Sequence, residues 1–189
     1  MPELRSYLKP QVPRDLAVQI ASYVRVQWPA LLDRRTPLWE STPYPPDGRH
    51  FVLSDGDLLI AHALTHRRRL DHLGQSWIVG ALSSVFVYPT HRGSGYGDQI
   101  VRAATAELRS GETDFSLLFC GERVRSLYIR NGSAHVPDLE IAYGDARSPL
   151  LLNKTHPKGY TLALPGSARA AENWSRIESA PLYVGPSTW

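Results

Sequence analysis

The sequence is poor in thiols: Cys120 is the only cysteine among 189 residues. No intrachain disulfide can form, which fits a reducing cytoplasm. Long apolar runs are also missing, since none approaches the roughly 20 residues needed to cross a bilayer. The first residues include Pro2, Glu3, Arg5 and Lys9 and carry no apolar stretch of the secretory type. A cytoplasmic location without a membrane partner is therefore expected. Neither sign of charge dominates, with 21 Lys and Arg against 18 Asp and Glu. The basic residues are scattered apart from Arg67-Arg68-Arg69, which reads as a solvated turn or as an aid to binding anionic phosphate. No aromatic stacking platform lies within a basic stripe, so nucleic acid is not expected as a partner. The hydrophobic share, 42%, is ordinary for a globular protein. Residues 1–189 are read as one domain with a sizeable core.

Helical spacing of Leu16, Ile20, Tyr23 and Val24 predicts a helix over Asp15–Trp28, opened after Pro13 and stopped by Pro29. Thr36–Asp47 carries four prolines with Trp39 and Tyr44, which predicts a loop. The two aromatic residues suit either loop anchoring or an acceptor pocket. His50–Ser54 and Leu58–Arg67 flank Asp55-Gly56, a hairpin signal. After a turn at Asp71–Gly74, an almost continuously apolar or small strand over Ser76–Val87 is expected to be buried on both faces. A helix over Gly97–Arg109, a short strand over Phe115–Phe119 and a helix over Glu122–Arg130 capped at Asn131-Gly132 follow. Glu140–Tyr143 and Tyr160–Leu164 read as late strands, and Ala168–Trp189 as a less regular tail. This order predicts an α+β domain.

The most informative stretch runs from Val85 to Gly97: Val85-Phe86-Val87-Tyr88-Pro89-Thr90-His91-Arg92-Gly93-Ser94-Gly95-Tyr96-Gly97. A buried strand feeds a glycine-rich turn that opens directly into a helix. Glycines allow close approach to an anion, and the free N–H groups and positive dipole end of the helix complete an anion cradle. Arg92 adds a planar charge suited to pyrophosphate. A P-loop needs Gly-Lys-Ser/Thr, whereas Asp98 follows Gly97. A dinucleotide-binding turn needs Gly-x-Gly-x-x-Gly within a βαβ unit, and both spacing and context differ here.

Arg-x-x-Gly-x-Gly after a Val-x-Val strand resembles the pyrophosphate loop of the Gcn5-related N-acetyltransferase superfamily. Downstream, Glu122–Gly132 resembles the superfamily's helix that ends in a leaving-group tyrosine and a glycine cap. The resemblance implies a single-domain fold with a mixed, mostly antiparallel central sheet, flanking helices and a splayed central strand. It implies acetyl-coenzyme A as acyl donor and direct attack of an amine on the thioester. Cofactor contacts are then expected from Val85, Phe86, Val87, Arg92, Gly93, Ser94, Gly95, Tyr96, Gly97 and Asp98. Tyr128 matches the family's acid for the departing thiolate; an amphipathic-helix core tyrosine is the alternative. Many relatives carry a glutamate on the central strand, where this chain has Ser83, and an asparagine where it has Gly121. A serine hydroxyl is no base at neutral pH.

His62 and His66 share one face of a predicted strand and suit a structural role, an acceptor contact or base, or a metal. No third ligand has sensible spacing, so no metal is expected. Cys120 reads as a small buried hydrophobe, although a place beside the cofactor thiol is open to it. Within the superfamily, Asp57–Ala63, Arg67–Leu70 and Lys158–Pro165 resemble aminoglycoside 2'-N-acetyltransferases. By that likeness the terminal Trp189 is expected near the acceptor, a small-molecule amine, and Trp39 of the proline-rich loop and Ser83 at the place of the family glutamate are further expected contacts. A homodimer is left open. The alternative from another class is an acyl-coenzyme A-binding module or sensor without transferase activity.

Overall fold

The computed structural model describes residues 1–29, 44–110 and 112–188. They group into two compact units, Met1–His66 with Ser84–Ala104, and Arg67–Ser83 with the chain from Thr105 onward.

The first unit contains β1 (Glu3–Leu8), α1 (Arg14–Gln27), β2 (Arg49–Asp55), the larger part of β3 (Leu58–His72), the end of β4 (Gln75–Val87) and the start of α2 (Tyr96–Ser110). Within it the strand order is β1-β2-β3-β4. The Asp55-Gly56 hairpin forms as expected, with Asp55 opposite Leu58 and Gly56 at a φ of 61°. β1 pairs antiparallel with β2, Glu3 opposite Ser54 and Leu8 opposite Arg49. Sequence periodicity does not reveal β1, because this strand buries none of its side chains and so has no apolar alternation. α1 follows the predicted helix and ends where the Trp28 N–H reaches the Val24 carbonyl at 2.8 Å. Leu16, Ala17, Ile20 and Val24 on its inner face pack with Val52, Leu59, Leu64 and Phe86. Complete burial of a side chain such as Ile20 contributes about 1.5–3 kcal/mol.

The second unit holds the end of β3, the start of β4 and the end of α2. It continues with β5 (Phe115–Gly121), α3 (Glu122–Arg130), β6 (Ala134–His135), β7 (Ile141–Tyr143), β8 (Leu150–Leu151), α4 (Leu152–Thr155) and β9 (Gly159–Pro165), then α5 (Ala168–Glu172), α6 (Trp174–Ile177) and β10 (Leu182–Tyr183). The order here is β3-β4-β5-β9-β6, beside a small sheet of order β10-β7-β8. The tail is thus more regular than its sequence suggests, since elements this short leave no periodic signature. Leu73 and Gly74, both with positive φ, make the tight turn between β3 and β4.

Arg67-Arg68-Arg69 lies inside β3 and is not a solvated turn. Arg67 pairs with Glu107 at 2.8 Å, and half-buried Arg68 donates to the Val184 carbonyl at 3.0 Å. Asp114 ties several segments together. Its Oδ2 accepts from the Ile78 N–H at 2.8 Å, its Oδ1 from the Ser167 hydroxyl at 2.9 Å, and its carbonyl from the Ser167 N–H at 2.7 Å. Trp77, Phe115, Leu117, Ile141 and Leu182 form the core of this unit.

Only part of β4 matches the expectation of burial on both faces. Trp77 and Val79–Leu82 are buried, whereas Ser83, Ser84 and Val85 are half-buried. The cause is visible in the pairing. The parallel β4–β5 ladder runs from Val79 opposite Phe115 to Ala81 opposite Leu117 and stops after those three pairs.

Candidate active site

Just beyond the end of that ladder, Ser84 has a φ of 50° within the strand. A non-glycine residue in the left-handed region costs on the order of 1–3 kcal/mol and persists only where surrounding groups hold it. The carbonyl of Ser84 meets His62 Nδ1 at 2.9 Å, and its hydroxyl accepts from the Tyr44 hydroxyl at 3.0 Å. His62 Nε2 in turn meets His50 Nδ1 at 2.9 Å. Sequence reasoning missed this cluster, although the paired Ser83-Ser84 in an apolar strand and histidines on both arms of one hairpin are its visible traces.

Past Ser84, Phe86 is buried and stacks on Tyr23 of α1 with ring centroids 4.0 Å apart. The Tyr88 N–H bonds to the Ile60 carbonyl at 2.9 Å, which fixes the end of the strand. The chain then turns through Pro89–His91 into the glycine-rich segment. Arg92 reaches back, its Nε donating to the Val87 carbonyl at 3.1 Å and its Nη2 to the Tyr23 hydroxyl at 2.9 Å. Two of its five N–H groups are thus used to orient the guanidinium, and among the described residues the other three have no acceptor.

Gly93 and Gly95 have φ values of 84° and 79°, and a side chain added at either would have open space around it. Their glycine requirement comes from backbone conformation. Left-handed glycines on either side of Ser94, which is not left-handed, tilt main-chain N–H groups into one concavity, as the alternating residues of anion nests do. The first hydrogen bond into α2 is Gln99 N–H to Gly95 carbonyl at 3.1 Å, so the preceding N–H groups have no acceptor within the helix. Arg92 to Gly95 are exposed, and Tyr96 to Asp98 are half-buried. An exposed turn with a tethered guanidinium at a helix N-terminus fits a diphosphate.

A family model described as an acetyltransferase (GNAT) domain matches residues 16–134, more than half of the chain. The chain belongs to the GNAT family. Its fold is α+β, a mixed and largely antiparallel sheet flanked by helices. Among similar solved structures, Arabidopsis thaliana NAA60 in complex with a bisubstrate analogue has a TM-score of 0.58 at 13% identity, covering 87% of this chain and 98% of that one. Escherichia coli ElaA has a TM-score of 0.57 at 15% identity, with coverages of 87% and 99%. An acyl-CoA N-acyltransferase from Pseudomonas aeruginosa has a TM-score of 0.53 at 18% identity, with coverages of 87% and 99%. Identities this low support the fold alone. No curated protein sequence gives a significant match.

In the second unit of this GNAT chain, α3 carries Tyr128, whose side chain is buried. The helix closes as the sequence predicts: Gly132 has a φ of 94° and the Ser133 N–H bonds to the Tyr128 carbonyl at 3.0 Å. Among the described residues the Tyr128 hydroxyl has no hydrogen-bond partner. Burial pushes this phenol well above its usual value, and neighbouring Cys120 adds to the shift. The proton is therefore held more tightly than a solvent-exposed tyrosine would hold it. Burial likewise raises the half-buried Cys120 thiol to about 11. Ser83 is half-buried on β4. Trp39 and Trp189 lie outside the described residues. No group of three or more metal-ligating side chains occurs among the described residues, nor any helix long and apolar enough to cross a membrane.

Both central histidines are buried in their neutral form. Burial lowers His62 from 6.5 to about 4, and burial, then His62 and Lys9, lower His50 as well. An unfolded chain takes up protons on these rings below about pH 6.5, whereas the folded chain resists. The contribution of His62 is thus complete above that pH and is lost progressively as the pH falls from there to about 4. For His62 alone the expected loss between about pH 7 and pH 5 is about 2 kcal/mol. Urea midpoints at the two values measure it, and coincident midpoints would contradict the burial.

Proposed function

We propose that the protein moves an acetyl group from acetyl-coenzyme A to a primary amine of a small molecule by direct attack on the thioester. Residues 1–189 are taken as one N-acetyltransferase domain acting in the cytoplasm. The observation that carries the reading is the Arg92–Gly97 turn, where two left-handed glycines, a tethered guanidinium and a helix N-terminus converge. The main chain of Gly93 to Asp98 is assigned to the diphosphate. The β4 segment Val85–Val87, past the last β5 pair, is assigned to the acyl and pantetheine portion. Negative charge grows on the thioester oxygen during attack, and main-chain N–H groups stabilise it without reorganising.

Tyr128 is assigned as proton donor to the leaving thiolate. Its side chain is buried and its hydroxyl makes no hydrogen bond among the described residues, so the O–H is free to donate and the surroundings strengthen its interaction with an anion. With the phenol raised, hydrogen-bond donation carries more of the stabilisation than complete transfer. The amine must arrive neutral or lose its proton to water. Ser83 supplies no base, and His62 has both ring nitrogens engaged.

The likeness of Asp57–Ala63, Arg67–Leu70 and Lys158–Pro165 supports an aminoglycoside-like acceptor as the finer reading, with Trp39, Ser83 and Trp189 as contacts. The lack of a carboxylate at Ser83 favours a second reading, an acyl-coenzyme A-binding module without turnover. Titration with acetyl-coenzyme A, followed by thiol release across an amine panel, separates the two. Tight binding with no release on any amine favours the module, and no binding at all removes both. Arg92→Ala is expected to weaken coenzyme A about tenfold or more, as loss of charge-assisted hydrogen bonds does. An unchanged dissociation constant by calorimetry would take Arg92 out of the cradle.

A further inference from the structure

Among the described residues, the non-glycine positions with positive φ are Leu73, in the β3–β4 turn, and Ser84, inside a strand. Both handles of Ser84 are held by buried side chains. His62 Nδ1 lies 2.9 Å from its carbonyl, and the Tyr44 hydroxyl donates to its Oγ at 3.0 Å. His50 lies behind them, 2.9 Å from His62 Nε2 and edge-on to the Tyr44 ring at 5.3 Å. Lys9 Nζ secures the Tyr44 carbonyl at 3.1 Å.

The proton positions in this chain follow from one fact. A carbonyl can only accept, so His62 Nδ1 carries hydrogen and its Nε2 accepts from His50 Nδ1–H. A carbonyl also cannot pass a proton onward. The histidine pair is therefore no route for a proton leaving the acceptor amine, and its direct effect is on the geometry of Ser84. The carbonyl of Ser84 belongs to the same peptide unit as the N–H of Val85. Rotating that carbonyl toward His62 turns the Val85 N–H with it, because the peptide is planar.

We propose that His62, oriented by His50 and assisted by Tyr44, is a positioning residue that holds Ser84 left-handed and thereby aims the Val85–Val87 main chain at the thioester oxygen. The inference rests on the acyl-transfer reading and adds to it the device that sets the donor geometry in this chain.

The test compares two polar substitutions of similar size. His62→Asn keeps an amide N–H near the place of Nδ1, whereas His62→Gln carries its amide to the place of Nε2 and loses the bond to Ser84. His62→Gln is expected to reduce turnover about 100-fold, as misaimed catalytic groups do, with the dissociation constant of coenzyme A within about threefold of the parent. His62→Asn should retain most of the turnover. Glycine adopts positive φ without help, so Ser84→Gly in the His62→Gln background should recover at least about tenfold. Amide hydrogen exchange at Val85–Val87 gives a readout that needs no acceptor: faster in the Gln variant, close to parental in the Asn variant. Equal loss in both variants, absence of recovery by Ser84→Gly, or identical exchange in parent and Gln variant would overturn the proposal. A parent that ignores coenzyme A would remove the acyl-transfer reading instead, and the exchange contrast would still decide whether the clamp exists.

Discussion

Tyr128→Phe is expected to slow acetyl transfer about 100-fold while leaving coenzyme A affinity within about twofold, the lower range for removal of a general acid. The substitution deletes one oxygen and keeps the ring. The hydroxyl makes no hydrogen bond among the described residues, so its removal orphans no donor or acceptor. The ring remains buried on α3 and the Ser133–Tyr128 main-chain cap is untouched. Stability should therefore be nearly unchanged, which separates this variant from most buried-tyrosine substitutions. A loss confined to turnover marks an interaction made only in the transition state. Because burial holds the phenol protonated far above neutrality, the parent's rate should show no decline at alkaline pH attributable to Tyr128 ionising. A Phe variant as fast as the parent under saturating donor would return Tyr128 to the role of core residue.

Gly166→Ala is expected to be the most destabilising of the small substitutions, by about 3 kcal/mol or more. An added Cβ would lie 2.2 Å from the Asp114 carbonyl oxygen, 2.5 Å from its carbon and 2.7 Å from the Thr113 carbonyl. All three atoms are main chain, so no rotamer change relieves the clash. Relief requires moving β9 away from the start of β5, which would break the Ser167 N–H bond to Asp114 and disturb the carboxylate that serves Ile78 and the Ser167 hydroxyl. Thermal melting checks this directly. An Ala variant with a parental Tm would show that the β9–α5 connection adapts freely.

The parts of this molecule legible in the sequence are those where one physical requirement dominates a run of residues. The α1 stripe of Leu16, Ile20 and Val24, the Asp55-Gly56 hairpin and the Gly132 cap each follow from local conformational rules. The Arg92–Gly97 turn was legible because glycines at fixed offsets have few other uses. What escaped is set by partners distant in sequence. β1 depends on β2 for its identity as a strand, and Arg67 is drawn out of solvent by Glu107, 40 residues away. The left-handed state of Ser84 depends on Tyr44 and His62, 40 and 22 residues away in sequence. Composition alone overstates the burial of β4 for a related reason: its apolar or small residues continue past Ala81, where the ladder with β5 does not.

Cys120 has a practical bearing on every rate measurement suggested above. Only thiolate attacks a disulfide reagent, and a thiol near 11 is ionised in about one molecule in ten thousand at neutral pH. Colorimetric detection of liberated coenzyme A should thus run over a nearly silent protein background, without alkylating the enzyme beforehand.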